Sequence, residues 1–162
     1  MKYGDLNQAD FDAIVTGELT HKALALEDIA NGIICEYFIG GYNEKEDEFR
    51  RLILYRDGLT FQDKLEIIRG MLPLFGDSAD HCGLKEILKE VEAFKSWRNA
   101  MAHGLDRTES IVPLKLIVEV VSRSGKEKRV EITPESHQKM LDQIDDLEKR
   151  FSEARDAVRD YE

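Results

Sequence analysis

One segment of the chain brings together side chains that can act on a phosphate: Arg98-Asn99-Ala100-Met101-Ala102-His103. An arginine guanidinium can hold the oxygens of a phosphate, and an imidazole that titrates near neutral pH can transfer a proton to or from a reacting oxygen. In a shuffled chain of this composition, an Arg and a His at one of three nearby spacings are expected on the order of once. When Asn must also follow the Arg directly, the expected number falls to about 0.02. It is therefore the three-residue pattern of Arg98, Asn99 and His103, and not the Arg and His pair alone, that indicates a site acting on a phosphate.

This segment lies at the C-terminal end of a predicted amphipathic helix, and that position constrains its geometry. Five residues at roughly 100° each place the side chains of Arg98 and His103 about 140° apart on a regular helix. One straight helix cannot easily aim both side chains at the same phosphate. Either the helix breaks at His103, next to Gly104, or residues from two subunits complete each site.

Apolar residues that recur every three or four positions predict the helices that must position the segment. Thr60 is placed to cap one of them, because its hydroxyl can accept from the amides of a first turn that holds Asp63. Gly104 is a plausible end for the helix that carries the motif. The predicted helices cover 17–38, 44–55, the stretch from Thr60 to about Gly76, and the stretch from Leu84 to Gly104.

The pattern changes after Gly104. Ile111 to Val121 is rich in β-branched residues, Arg123-Ser124-Gly125-Lys126 has turn chemistry, and Val130 and Ile132 resume the alternation, which predicts a hairpin over about 110–132. Thr133-Pro134 then reads as a helix cap followed by proline at the first helical position.

The last helix carries a narrow apolar seam of the kind that packs along another helix. Together with the poor convergence of Arg98 and His103 on one helix, this seam predicts a homodimer. Its residues are Met140, Ile144, Leu147, Phe151, Ala154 and Val158.

Composition and charge bound the class of protein. A length of 162 residues fits one domain, 1–162, and a net charge of −10 argues against a surface that binds duplex DNA or anionic membrane over a wide area. Cys35 and Cys82 have no paired Cys/His spacing, so a zinc ribbon and a disulfide framework are excluded. No targeting peptide or long apolar stretch is recognised, and we expect a soluble, cytoplasmic protein with no metal site, no cofactor and no membrane partner.

The run from Arg98 to His103 resembles the motif of the HEPN superfamily, small helical domains in which Arg, a polar residue that is often Asn, and a His follow one another on a helix. The stretch 59–65 is similar to the helix start that several such domains place before the motif helix. The resemblance covers roughly 17–104 and the final helix. It implies a mainly α fold: a HEPN-like up-and-down bundle of four to five helices, with the β-hairpin inserted before the last helix.

The resemblance also implies a chemistry. Many members cleave RNA without a metal and dimerise so that two motifs meet. On that basis Arg98 would stabilise the charged phosphorane as the RNA 2′-hydroxyl attacks, His103 would transfer protons, and Asn99 would orient the pair or bind the substrate. The expected partners are a second copy of the chain, an RNA substrate, and an antitoxin or other protein of a defence or toxin–antitoxin system.

Two alternatives remain beside this interpretation. Other members of the superfamily have lost catalysis, so the competing hypothesis is a non-catalytic dimeric interaction or regulatory module. Arg98 and His103 could also be cations that stabilise the carbonyls at a helix C-terminus, by roughly 0.3–1 kcal/mol. The remaining histidines are expected at the surface; they are His21, His81 and His137.

The predicted hairpin tip is basic on an acidic protein. Its cations could contact RNA phosphates without sequence choice, or they could keep the hairpin edge unpaired. We favour the structural explanation, because four charges on a turn are ordinary. The residues are Arg123, Lys126, Lys128 and Arg129.

Overall fold

The computed structural model of the chain describes residues 3–40, 44–108, 114–121 and 124–159. Helix makes up 71% of the described residues, which confirms the expectation of a mainly α fold. The described residues form six α-helices and a small three-stranded sheet. The helices are α1 (Gln8–Ile39), α2 (Glu46–Phe49), α3 (Phe61–Met71), α4 (Asp77–His81), α5 (Leu84–Ala102) and α6 (Pro134–Arg159), and the strands are β1 (Leu105–Asp106), β2 (Leu116–Val121) and β3 (Glu127–Ile132).

The first helix begins earlier than the apolar spacing predicts. The side chain of Asn7 accepts a hydrogen bond from the backbone N–H of Asp10 at 2.9 Å and caps a helix that begins at Gln8, nine residues before Gly17. Gly17 then lies inside α1, where a glycine weakens a helix without ending it.

Local signals between α1 and α5 give a mixed result. Thr60 caps α3 as predicted, and its side chain and that of Asp63 form a capping box. The helix predicted over 44–55 consists of two pieces, α2 and a π-helical turn at Arg50–Leu54. The polar stretch after Gly76 contains the five-residue helix α4, which was not predicted from the sequence.

The sheet joins the predicted hairpin to the end of the motif helix. Strands β2 and β3 pair antiparallel from Leu116↔Ile132 to Val121↔Glu127, so the hairpin is confirmed. Strand β1 was not predicted, and it pairs with β2 through Leu105↔Glu119 and Asp106↔Val118. The chain therefore passes from the end of α5 directly into the sheet.

Gly104 permits that transition. A Cβ at this position would lie 2.2 Å from Cγ1 of Val118 and 3.1 Å from the carbonyl oxygen of Glu119. Real Cβ atoms essentially never come as close as 2.2 Å to another atom, so the contact between the end of α5 and β2 favours glycine.

The chain divides into two compact units. Unit 1 comprises Met1–Ala23 and Phe94–Asp145, and unit 2 comprises Leu24–Ala93 and Asp146–Glu162. Helices α1, α5 and α6 each contribute residues to both units. The motif, the sheet and the first part of α1 all belong to unit 1.

The apolar seam of α6 is buried, with Ile144 and Leu147 at 4% and 5% exposure. Phe151, Ala154 and Val158 are buried as well, and Met140 is half-buried. A single chain thus already covers the seam. The seam cannot serve as evidence for a second copy.

The expectation that His137 lies at the surface is wrong. Its side chain is 0% exposed, and its Nδ1 lies 2.9 Å from the hydroxyl of Tyr3. Its Nε2 faces Oε2 of Glu18 at 3.4 Å, and both atoms are buried without a hydrogen bond among the described groups. A carboxylate on that side favours the ring proton on Nε2, so Tyr3 donates to Nδ1. The periodicity of α6 places residue 137 on the buried side of the helix, a position that a polar residue fills only with such partners.

Burial lowers the pKa of His137 below its usual 6.5, and the nearby Glu18 carboxylate partly opposes that shift. Burial also raises the pKa of Tyr3, with smaller contributions from Glu18 and Asp142. The folded protein therefore holds His137 neutral and Tyr3 protonated at neutral pH, which preserves their hydrogen bond.

We predict that Gly104→Ala destabilises the protein by about 1–3 kcal/mol, because Val118 or the β2 backbone must move. Gly17→Ala is the matched control, since a Cβ there meets no described atom within 4 Å. It should stabilise α1 by about 0.5–1 kcal/mol. Urea unfolding followed by circular dichroism measures both. A Gly104→Ala protein as stable as wild type would contradict the close approach to β2.

We predict that His137 makes the protein less stable as the pH falls below about 6.5. The unfolded chain then binds a proton on this imidazole more readily than the folded chain does, so the free energy of unfolding decreases. Urea unfolding between pH 8 and pH 5.5 should show a smaller decrease for His137→Gln, whose amide can still accept from Tyr3. The control His21→Gln alters an exposed histidine and should keep the wild-type profile. Identical profiles for wild type and His137→Gln would contradict the burial of a neutral imidazole.

Candidate functional site

A cleft in unit 1 lies beside the end of the motif helix. Its volume is about 120 Å³, and it is partly open to solvent. Its lining is more apolar than polar, with a guanidinium, two hydroxyls and two carboxylates among the lining groups. The lining residues are Asp12, Val15, Thr16, Leu19 and Thr20 of α1, Arg98, Met101, Ala102 and Gly104 in and after α5, and Asp106, Leu116 and Val118 of the sheet.

Arg98 is the cation of this cleft. Its Nη2 donates to Oγ1 of Thr20 at 3.0 Å, and its Nη1 donates to Oδ1 of Asn99 at 3.3 Å. Among the described residues no carboxylate lies within 4.0 Å of the guanidinium. An arginine has five N–H donors. Neutral partners thus hold the half-buried side chain in place, and its charge and remaining donors stay available to an anion.

Two carboxylates line the same cleft. Oδ1 of Asp12 lies 3.5 Å from the hydroxyl of Thr16, a long contact. Hydrogen bonds from the side chain and the backbone N–H of Thr108 lower the pKa of Asp106, so this carboxylate is charged at neutral pH. The cleft therefore offers a positive end at Arg98 and acceptors for hydroxyl or amino groups elsewhere.

His103 lies apart from Arg98. Helix α5 ends at Ala102, and His103 occupies the following turn, where its backbone N–H donates to the carbonyl of Asn99 at 3.1 Å. Its side chain is exposed, does not line the cleft, and makes no hydrogen bond to Arg98 or Asn99 in the described part of the chain. The helix does break at His103, as one of the two sequence alternatives required, but the break does not bring the imidazole to Arg98.

Asn99 is exposed and acts as a partner of Arg98. Side chains at consecutive helix positions normally point apart, so this contact depends on the length of the arginine. Asn99 was expected to orient Arg98 and His103. It contacts the side chain of Arg98, but among the described residues it makes no hydrogen bond with the side chain of His103.

The aromatic residues of α5 pack against each other. Phe94 is buried, and its ring stacks on that of Trp97 with centroids 6.4 Å apart. Met101 is half-buried and lines the cleft.

The three described basic residues of the hairpin tip do not line this cleft. Lys126, Lys128 and Arg129 are exposed on the turn and on β3, and Arg129 lies opposite Glu119 in the β2–β3 register. Arg123 lies outside the described residues.

Three polar residues of the cleft were not predicted from the sequence: Asp12, Thr16 and Thr20. They follow one another at intervals of four residues, the spacing that aligns side chains on one face of a helix. That polar row was a usable signal, but the predicted helix began at Gly17 and excluded most of it.

Other chemistry of the described residues is limited. No group of three or more His, Cys, Asp or Glu side chains there is arranged to hold a metal ion. Cys35 is buried and Cys82 half-buried, and both are free thiols. None of the described helices has the length and apolarity needed to span a membrane.

Comparison of the chain with protein-family models, with curated proteins and with solved structures gave no match.

Proposed function

We propose that the protein is a HEPN-like, metal-independent endoribonuclease and that Arg98 binds the phosphate it cleaves. One observation carries this proposal: a half-buried arginine faces a cleft, held by the neutral side chains of Thr20 and Asn99. Neutral acceptors fix the direction of a guanidinium without cancelling its charge, which suits it to an anionic ligand.

The proposed reaction uses the RNA itself as the source of the nucleophile. A base removes the proton of a 2′-hydroxyl, and its oxygen attacks the adjacent phosphorus. The bond to the 5′-oxygen breaks, and that oxygen receives a proton. Arg98 stabilises the charge that develops on the phosphate oxygens, and His103 transfers the protons. The products are a 2′,3′-cyclic phosphate and a 5′-hydroxyl.

A second copy of the chain completes the proposed site. Within one chain the side chain of His103 lies outside the cleft of Arg98. A dimer in which His103 of one copy approaches Arg98 of the other resolves this separation. The resemblance to the HEPN superfamily, whose members dimerise through the motif, supports the same arrangement.

The first test is cleavage of single-stranded RNA by the purified protein in the presence of a chelator. RNA should be cut to products with 2′,3′-cyclic phosphates, and DNA should survive because it lacks the 2′-hydroxyl. Arg98→Ala and His103→Ala should each lower the rate by at least about a hundredfold. Product ends are identified by mass spectrometry.

Matched variants separate catalysis from folding. Arg56→Ala and His21→Ala remove an exposed arginine and an exposed histidine elsewhere and should cut RNA as wild type does. His103→Ala, Arg56→Ala and His21→Ala should unfold within a few degrees of wild type, since exposed substitutions usually change stability by no more than about 0.5 kcal/mol. Arg98→Ala also removes a half-buried hydrogen bond to Thr20, which costs about 1 kcal/mol, so this variant should stay folded at the assay temperature. Early unfolding of Arg98→Ala and His103→Ala would make the motif structural.

The composite site makes a second prediction. Sedimentation at micromolar concentration should show a homodimer. Arg98→Ala and His103→Ala mixed in equal amounts and allowed to exchange should regain about a quarter of wild-type activity, because half of the dimers then hold one intact site of two. A strictly monomeric protein, or an active dimer whose variants never complement, would contradict a site shared between subunits.

A non-catalytic interaction module is the second candidate. The net charge of −10 and the carboxylates of Asp12 and Asp106 in the cleft favour it, because both oppose the approach of a polyanion. In that case the cleft would bind a basic or hydroxyl-rich segment of another protein. A stable wild-type dimer that cuts no RNA would favour this candidate.

A further inference from the structure

Three polar side chains of α1 face the cleft from one side of the helix. Asp12, Thr16 and Thr20 are spaced by four residues and all line it. Of the three, only Thr20 forms a hydrogen bond with Arg98 among the described residues. The segments that carry Thr20 and Arg98 are 78 residues apart in the chain, so this bond is a tertiary contact.

The hydroxyl of Thr20 is oriented by its own helix. It donates to the backbone carbonyl of Thr16 at 2.8 Å, and it accepts from Nη2 of Arg98 at 3.0 Å. A hydroxyl has one proton, and Thr20 uses it in the hydrogen bond that it donates to this carbonyl. The lone pairs are therefore directed at the guanidinium, and Thr20 serves Arg98 as a fixed neutral acceptor.

The other half-buried arginines in the described part of the chain are held by carboxylates. Arg50 is bound by Asp28 and Glu46, at 3.1 and 2.9 Å, and Arg69 is bound by Glu92. Carboxylates cancel the charge of a guanidinium and compete with any anionic ligand. A threonine in the same position orients the guanidinium without neutralising its charge.

We infer that Thr20 is a positioning residue that aims the guanidinium of Arg98 at the phosphate of the substrate. This inference rests on the proposed function, because it assigns Arg98 the role given above. Without the Thr20 acceptor the flexible side chain samples other rotamers, and fewer molecules present the guanidinium in the productive direction.

The test compares three substitutions. Thr20→Val keeps the shape of the side chain and removes the acceptor, and Thr20→Ser keeps the acceptor. Thr16→Val is the matched control, since Thr16 lines the same cleft but its hydroxyl makes no hydrogen bond to Arg98 among the described residues. Thr20→Val should lower kcat by about tenfold or more with a smaller change in KM, whereas Thr20→Ser and Thr16→Val should stay within about threefold of wild type. Thermal unfolding checks that all three are folded.

A second arm needs no cleavage. The affinity for a single-stranded 2′-O-methyl oligonucleotide, which keeps the phosphates but lacks the nucleophile, is measured for the same variants and for Arg98→Ala. Thr20→Val and Arg98→Ala should both weaken binding, and Thr20→Ser and Thr16→Val should not.

The outcomes separate the two claims. A wild type that binds with this pattern but cuts no RNA overturns the endoribonuclease and leaves the positioning role standing. If Arg98→Ala is defective while folded Thr20→Val behaves as wild type in both arms, the positioning role is wrong and the proposed function survives. If Arg98→Ala has no effect in either arm, Arg98 binds no phosphate and both claims fall.

Discussion

The close approach of Gly104 to strand β2 is the constraint on which the arrangement of unit 1 depends. Because residue 104 has no side chain, the backbone after α5 can lie against Val118 and continue into β1. Helix α5 must then end at Ala102, and His103 falls in an exposed turn. The same contact brings β2 to the cleft that Arg98 faces. One glycine thus couples the end of the motif helix, the hairpin and the cleft.

The second organising feature is electrostatic. The chain has 33 acidic residues against 23 lysines and arginines, so a cation readily finds a carboxylate. Arg150 illustrates this, because Glu90 and Asp146 bind it and raise its pKa. Arg98 is held by a threonine and an asparagine instead. In an acidic protein, an arginine held by neutral groups in a cleft retains the charge that recognition of an anion requires.

The buried His137 contributes order to unit 1 in another way. It joins Tyr3, at the start of the chain, to the first turns of α6 through one hydrogen bond. The rings of Tyr3 and Phe11 meet the imidazole edge to face, at 6.0 and 6.2 Å. A buried polar group costs free energy unless it is satisfied, so this side chain specifies where the first residues lie. The cost of protonating it in place links the order of that region to pH.

Features that depend on neighbouring residues could be predicted from the sequence. The capping box at Thr60, the cap and proline at Thr133-Pro134, the hairpin turn and the buried seam of α6 all result from interactions within a few residues or from periodicity. The Arg98, Asn99 and His103 pattern and the helix end beside Gly104 are visible for the same reason.

The contacts that turn this pattern into a candidate site were decided by tertiary structure alone. Thr20 meets Arg98 across 78 residues of chain, and Tyr3 meets His137 across 134. Strand β1 has two residues, too few for an alternating pattern, and it exists because β2 is beside it. Local propensity reports how a segment prefers to fold, whereas the pairing of distant polar groups depends on which segments the packing brings together. For that reason the sequence indicated which residues could bind a phosphate. Only the fold placed Arg98 and Thr20 together in a cleft and left the side chain of His103 outside that cleft.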